Sequence, residues 1–222
     1  MCGRYSLTTP EEALVALFDA GPLDDFHPRY NIAPTQSVPV VRIDDEHARA
    51  WARLRWGLVP SWSKDPSIGN RMINARAETV SEKPAFREAF KRRRCLVLAS
   101  GFYEWGQTAS GKRPFFISRD DAEIMAFAGL WERWRPNADQ VVESCVIITT
   151  QALPSLVEVH ERMPVILPPS AQAIWLTEET PSADCLGVLE SRALAPLEIR
   201  PVDRTVNNPG NEGVELIRPA TD

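Results

Sequence analysis

Cysteine stands at position 2, in no hydrophobic pattern and directly behind the initiator methionine. Methionine aminopeptidases remove Met before a small residue, so the mature chain is expected to begin at Cys2. An N-terminal cysteine is a 1,2-aminothiol, with an amine near about 7.7–8.0 and a thiol near about 8.5. Both groups titrate close to neutrality. Such a residue attacks a carbonyl through nitrogen, through sulfur, or through both in turn. Four polar clusters interrupt the hydrophobic pattern further along: Tyr30-Asn-Ile-Ala-Pro-Thr, Arg71-Met-Ile-Asn-Ala-Arg-Ala-Glu-Thr, Gly101-Phe-Tyr-Glu-Trp and His160-Glu-Arg-Met-Pro. In the third, Glu104 sits among aromatics that would desolvate it and raise its pKa, the usual route to a general acid or base. The plainer alternative is a strand residue that alternates with buried neighbours. His27 and His47 are the other histidines, and His47 lies in a polar turn, so His160 is the candidate if a histidine takes part. A lone histidine is more often structural.

Charge narrows the partner. The 222 residues carry a net −5, which argues against a generic nucleic-acid binder. Residues 49–94, however, hold 12 Lys/Arg against 4 Asp/Glu, a local +8 that leaves −13 for the rest. A basic island in an acidic chain fits a polyanion footprint, or else solvated faces that cluster in sequence. Trp62, in the loop-like Val-Pro-Ser-Trp-Ser-Lys, suits stacking or wedging against bases, whereas Trp51 and Trp56 read as core. Cys95 and Cys145 lie in apolar strand-like runs, Cys185 on the buried side of a helix, and no spacing fits zinc. No apolar run approaches a membrane span, and the start is polar too early for a signal peptide. The reading is a cytoplasmic protein with no membrane partner.

The elements that must position these residues follow from patterning. Thr9-Pro-Glu-Glu opens a helix with Thr9 as cap, and Gly21 ends it. Strands are expected at 38–43, 51–56, 95–99, 102–105, 114–118, 124–130, 142–150, 165–167 and 197–202. Short helices are expected at 81–90, 154–159, 170–176 and 183–190. Many strands with tight turns and scattered helices indicate an α+β fold. A single domain, residues 1–222, would carry a mostly antiparallel β-barrel-like core with peripheral short helices. Neither G-x-G-x-x-G nor a P-loop occurs, so a parallel nucleotide-binding sheet is not expected.

Taken together, Met1-Cys-Gly-Arg-Tyr, Tyr30-Asn-Ile-Ala-Pro-Thr, Trp56-Gly-Leu-Val-Pro-Ser-Trp, Ile73-Asn-Ala-Arg-Ala-Glu-Thr, Gly101-Phe-Tyr-Glu-Trp, His160-Glu-Arg-Met-Pro-Val and Pro201-Val-Asp-Arg-Thr-Val-Asn-Asn resemble the SRAP family, the SOS response-associated peptidase or abasic-site processing proteins. The resemblance runs in order over nearly the whole chain. It implies a β-barrel-like core, a basic groove for single-stranded DNA, and a crosslink from the N-terminal cysteine to the aldehyde of an abasic site. Residue by residue, Cys2 resembles the nucleophile and Asn74 the amide near its amine and the sugar. Glu104 resembles the acid/base that assists sugar opening, and His160 completes the pocket. Arg76 and Arg162 resemble phosphate contacts, with Arg4 and Thr149 as helpers. Pro34 and Trp62 lie where members present apolar surface to DNA. Some members have two adjacent tryptophans where this chain has Trp62-Ser63, and the loop from Trp62 to Asn74 is longer.

The implied product is a thiazolidine: the amine condenses with the aldehyde and the thiol closes on the same carbon, favoured because the second attack is intramolecular. Partners would be single-stranded DNA with abasic sites and single-strand/duplex junctions, bound by a monomer in the DNA damage or SOS response. No cofactor and no metal are implied. The resemblance also carries β-elimination of the lyase type and self-removal of N-terminal residues, with Cys2, Glu104 and His160 as candidates. Two rivals stay open: an N-terminal-nucleophile amidohydrolase of the glutaminase type, which also begins Met-Cys-Gly, and non-catalytic single-stranded DNA binding through the basic island.

Overall fold

A computed structural model describes residues 2–109, 111–190 and 196–220. In chain order the elements are β1 (Tyr5–Leu7), α1 (Glu11–Phe18), β2 (Arg29–Ile32), β3 (Ser37–Ile43), β4 (Arg49–Trp56), β5 (Asn74–Arg76), α2 (Arg87–Arg92), β6 (Arg94–Ala99), β7 (Gly101–Thr108), β8 (Gly111–Arg119), β9 (Met125–Trp134), β10 (Val142–Gln151), β11 (Arg162–Pro164), α3 (Pro169–Leu176), α4 (Ser182–Glu190) and β12 (Leu197–Pro201). Three 3₁₀ turns, Pro66–Arg71, Arg204–Asn207 and Val214–Ile217, join them. Of these described residues, no helix is long and apolar enough to cross a membrane.

Strands β10, β4, β3, β6 and β9 pair in that order, and β9 pairs back onto β10, closing a barrel. All its pairings are antiparallel except β4 with β10. Closure removes exposed strand edges, and the alternating apolar residues fill the interior. Val38, Val40, Leu54, Val97 and Ile147 share one face by register and are buried there. A second sheet, β12-β8-β7-β1-β2, packs beside the barrel. This is the expected α+β architecture with short helices at the periphery.

Five expected element features differ. Thr9 does not cap α1; its hydroxyl pairs with Ser100 Oγ at 3.1 Å, and Pro10 takes the preceding position with ψ 148°. The helix ends at Asp19, left-handed at φ 47°, ahead of Gly21. Residues 154–159 form consecutive turns in place of a helix, with bonds such as Val159 N to Leu156 O at 2.9 Å. Pro154 removes a donor at its start, and the run is too short to repay helix nucleation. The helix expected over 81–90 begins only at Arg87, after turns. The strand expected over 165–167 shrinks to a bridge, Phe127 with Ile166, the ladder proper being β11. Cys2, Cys95, Cys145 and Cys185 are all free and buried.

Candidate active site

The pairing of β1 with β7 decides where the N-terminus goes. Tyr5 faces Phe102 and Ser6 faces Gly101 in antiparallel register, so the residues before Tyr5 lie beside those after Phe102. Tyr103 N donates to Arg4 O at 2.9 Å and carries the register one residue further. Cys2 is thereby brought to Glu104. Its side chain is 0% exposed and packs in the main hydrophobic cluster. From the barrel side, β5 adds to β10 in parallel, Asn74 opposite Ile147, and Asn74 Nδ2 donates to Cys2 O at 2.8 Å. Asn74 Oδ1 is buried and has no hydrogen-bond partner among the described residues. It is an acceptor available to an amine or a sugar hydroxyl.

His160 arrives from the turns that follow β10. Their approach depends on Gly106: a Cβ there would sit 3.2 Å from Val159 Cα, so a side chain on β7 would push the turn away. Arg162 N donates to His160 Nδ1 at 2.9 Å. Nδ1 also lies 3.2 Å from Arg162 O, so the main chain of Arg162 fixes the ring from both its N–H and its carbonyl. His160 also acts electrostatically on Glu104, so both belong to one site.

Electrostatics divide the labour. Burial pushes the Glu104 carboxyl above the usual range, with His160 and Lys112 opposing. Burial pushes the Cys2 thiol well above its usual range, and the Glu104 carboxylate adds to that, while the Arg4 main-chain N–H pulls the other way. A thiol so placed keeps its proton at neutral pH. Among the described residues, no group of three or more His, Cys, Asp or Glu could hold a metal ion.

The residues expected to touch DNA fall into three groups. Arg76 is exposed on β5, two positions beyond Asn74 and on the same face. Arg162 is engaged with Glu78 in a bidentate pair at 2.6 and 2.9 Å, and its Nη2 donates to Thr149 O at 2.6 Å. Thr149 is buried, its hydroxyl donating to Ala75 O at 3.3 Å, so it braces β5 against β10. Pro34 and Trp62 sit on two loops anchored at Trp56. Thr35 N donates to Trp56 O at 2.8 Å, and the other loop leaves through Gly57. Gly57 meets Gly69 so closely that a Cβ on either would lie 2.5 Å from the other's carbonyl oxygen. That contact locks the long loop, whose residues 66–71 form a 3₁₀ turn capped by Asp65, and leaves Trp62 60% exposed. Arg4 lies apart from these: its Nη1 donates to Asn31 Oδ1 at 2.7 Å and Val206 O at 2.8 Å.

Patterning alone did not single out Asn31, Glu78 or Gly106. All three lie within or beside the quoted motifs, and their partners are remote in sequence.

A barrel with a flanking sheet that buries a residue-2 cysteine against a carboxylate and an amide, with an imidazole acting on that carboxylate, defines a class of protein built around residue 2. The chain belongs to the SOS response associated peptidase (SRAP) family, whose profile matches residues 1–209. It is 38% identical over 222 residues to the abasic site processing protein YoqW of Bacillus subtilis (strain 168), covering 98% of this chain and 99% of that one. It is 30% identical over 231 residues to the abasic site processing protein YedK of Escherichia coli (strain K12), covering 99% of this chain and all of that one. Among solved structures, a phage-related protein of Bordetella bronchiseptica matches with TM-score 0.73 at 32% identity, over 91% of this chain and 95% of that one.

Proposed function

We propose that this protein, acting in the cytoplasm as a monomeric single domain of residues 1–222, captures abasic sites in single-stranded DNA through a thiazolidine on Cys2 once Met1 is removed. The observation that carries the reading is the convergence on residue 2 of Asn74 and Glu104, with His160 beside Glu104. The relatives, named as abasic site processing proteins, supply the substrate.

The order of steps follows from the two nucleophiles. The buried thiol is protonated, so the amine attacks first. Glu104, its pKa raised by burial, donates a proton to the ring oxygen as the C1–O4 bond breaks, and the C1 hydroxyl returns its proton to the carboxylate, leaving the aldehyde. The amine then adds to the exposed aldehyde carbon and expels water, leaving an imine. The thiol adds to that carbon and its proton passes to nitrogen, closing the ring. Net, one water leaves. Asn74 orients the amine without adding charge. Self-removal of N-terminal residues would call on Cys2, Glu104 and His160 again, and β-elimination on the same imine. Denaturing gels of purified protein mixed with abasic single-stranded DNA test the reading: a heat-stable adduct is expected, and none would reject it.

Binding is expected to weaken with salt. If about four phosphates are neutralised, log K against log salt slopes near −3, at roughly 0.7 per contact. Arg76→Ala should cost a full contact, because this exposed side chain makes no hydrogen bond or close ion pair among the described residues that it would have to give up. Arg162→Ala should cost less affinity, since a phosphate must share Arg162 with Glu78. Glu78→Gln is therefore expected to tighten binding. Anisotropy titrations at several salt concentrations read all three, and salt-independent affinity would reject the basic groove. Trp62→Ala should change the preference for single-strand/duplex junctions more than the rate of crosslinking.

A further inference from the structure

The geometry points to a clasp, formed by Asn31 and the carbonyls of Val206, Asn208 and Asn211, that grips Arg4 and so makes Arg4 and Asn31 positioning residues for Cys2. The inference rests on the reading above for its chemistry, but the clasp itself is a statement about the free protein.

A chain terminus frays unless it is tied down, and a nucleophile on the second residue has almost no chain ahead of it to help. Among the described residues, three ties to the rest of the fold hold the stretch before β1. Asn74 Nδ2 grips Cys2 O, and Tyr103 N grips Arg4 O. The third is the Arg4 side chain, whose Nη1 donates to Asn31 Oδ1 at 2.7 Å and to Val206 O at 2.8 Å. The stem packs towards Trp105, with the guanidinium 5.8 Å from the ring centroid. Trp105 is fixed in turn, donating Nε1–H to Asn207 Oδ1 at 2.7 Å.

Asn31 is what makes the clasp. It is 0% exposed, and its Nδ2 donates to Asn208 O at 2.9 Å, Asn211 O at 3.0 Å and Val206 O at 3.3 Å. Two amide hydrogens thus serve three carbonyls, while Oδ1 turns to the cation. A buried aspartate would repel those carbonyls and a leucine would leave them unpaired, so the site calls for an amide. The carbonyls converge because residues 203–211 fold on themselves: Asp203 caps Thr205 N at 2.8 Å, and Asn211 Nδ2 donates to Thr205 O at 2.8 Å. The segment is held to the second sheet by Val202, Val206 and Leu216, which pack with Tyr103 and Phe116. The far C-terminal part of the chain therefore sets the position of its second residue. A misplacement of about 1 Å at a reacting centre costs roughly 10²-fold in rate.

The test sets this role against that of a phosphate contact. Arg4→Met keeps the stem and removes the guanidinium; Arg4→Lys keeps a cation that can reach one of the two acceptors. Crosslinking is timed at saturating abasic DNA, affinity is titrated with undamaged single-stranded DNA at several salt concentrations, and alkylation of Cys2 by iodoacetamide is followed by peptide mass. The clasp predicts that Arg4→Met crosslinks at least tenfold more slowly at saturation, with unchanged affinity and salt slope, and that Cys2 is alkylated severalfold faster. Arg4→Lys should fall between, and it carries the same test should Arg4→Met not melt cooperatively. A weaker affinity with a salt slope shallower by about 0.7 and an unchanged saturated rate would make Arg4 a phosphate contact and overturn the proposal. So would unchanged alkylation of Cys2. If wild-type protein forms no adduct, the functional reading fails, while the alkylation rates still decide the clasp.

Discussion

Cys2→Ala is expected to abolish the heat-stable adduct while leaving affinity for single-stranded DNA within about twofold, because phosphate contacts and not sulfur carry binding. The amine alone can still condense with the aldehyde, so an imine remains that borohydride traps and heat destroys. Cys2→Ser should behave in the same way, its hydroxyl being a far weaker nucleophile than the thiol. Keeping residue 1 in place is expected to be more damaging than either substitution. The Cys2 nitrogen is then an amide, without the basic lone pair that imine formation requires, and neither the stable nor the trappable product can form. Folding should survive all three changes, although the alanine leaves a small void where the thiol packs in the core. Gels with and without borohydride, run beside thermal melts, check each outcome. An undiminished heat-stable adduct from Cys2→Ala would remove the thiazolidine.

Glu104→Gln should slow adduct formation by about 10²-fold, the usual span for a positioned acid or base. The amide keeps the shape and loses the transferable proton. Stability should move in the opposite direction. Burial holds the folded-state pKa of Glu104 above the usual carboxylate range, so the native state binds this proton more tightly than the unfolded chain does. The contribution to stability is whole at pH values below the ordinary glutamate pKa and is lost as pH rises through the folded value. At pH 7 that contribution has fallen, whereas glutamine has no proton to lose and no such dependence. The mutant is therefore expected to melt at or above wild type at pH 7, and the gain should vanish near pH 4. Loss of rate with gain of stability is the mark of a group placed for chemistry. Reversal of the adduct runs the same proton transfers backwards and should slow too. A folded mutant that crosslinks at the wild-type rate would leave Glu104 a strand residue with no part in the reaction.

The long barrel strands were legible in the sequence because each carries an apolar run of four or five residues, 38–41 in β3, 95–99 in β6 and 145–148 in β10. So was the chemistry of the candidate site at the level of residue types. A cysteine outside any hydrophobic pattern, a glutamate between aromatics and a histidine beside arginine stand out because each breaks the local period. What composition and period could not show are β1, β2, β5 and β11, the short strands that bear the motifs. With three or four residues each, they have no pattern of their own and exist because a neighbouring strand offers them a ladder: β7 for β1, β1 in turn for β2, and β10 for β5 and β11. The same limit hid the partners of the charged groups. Arg162 and Glu78 are 84 residues apart, and Arg4 and Val206 are 202 apart. Spacing along a chain cannot report such pairs, since they follow from barrel closure and from the fold of the last segment. The sequence by itself determined which chemistry residue 2 could perform and how much apolar surface would form a core. Only the tertiary structure decided that Cys2 lies buried against Glu104 and that Arg4 is turned inward, because burial and hydrogen-bond partners are set by contacts between segments far apart in the chain.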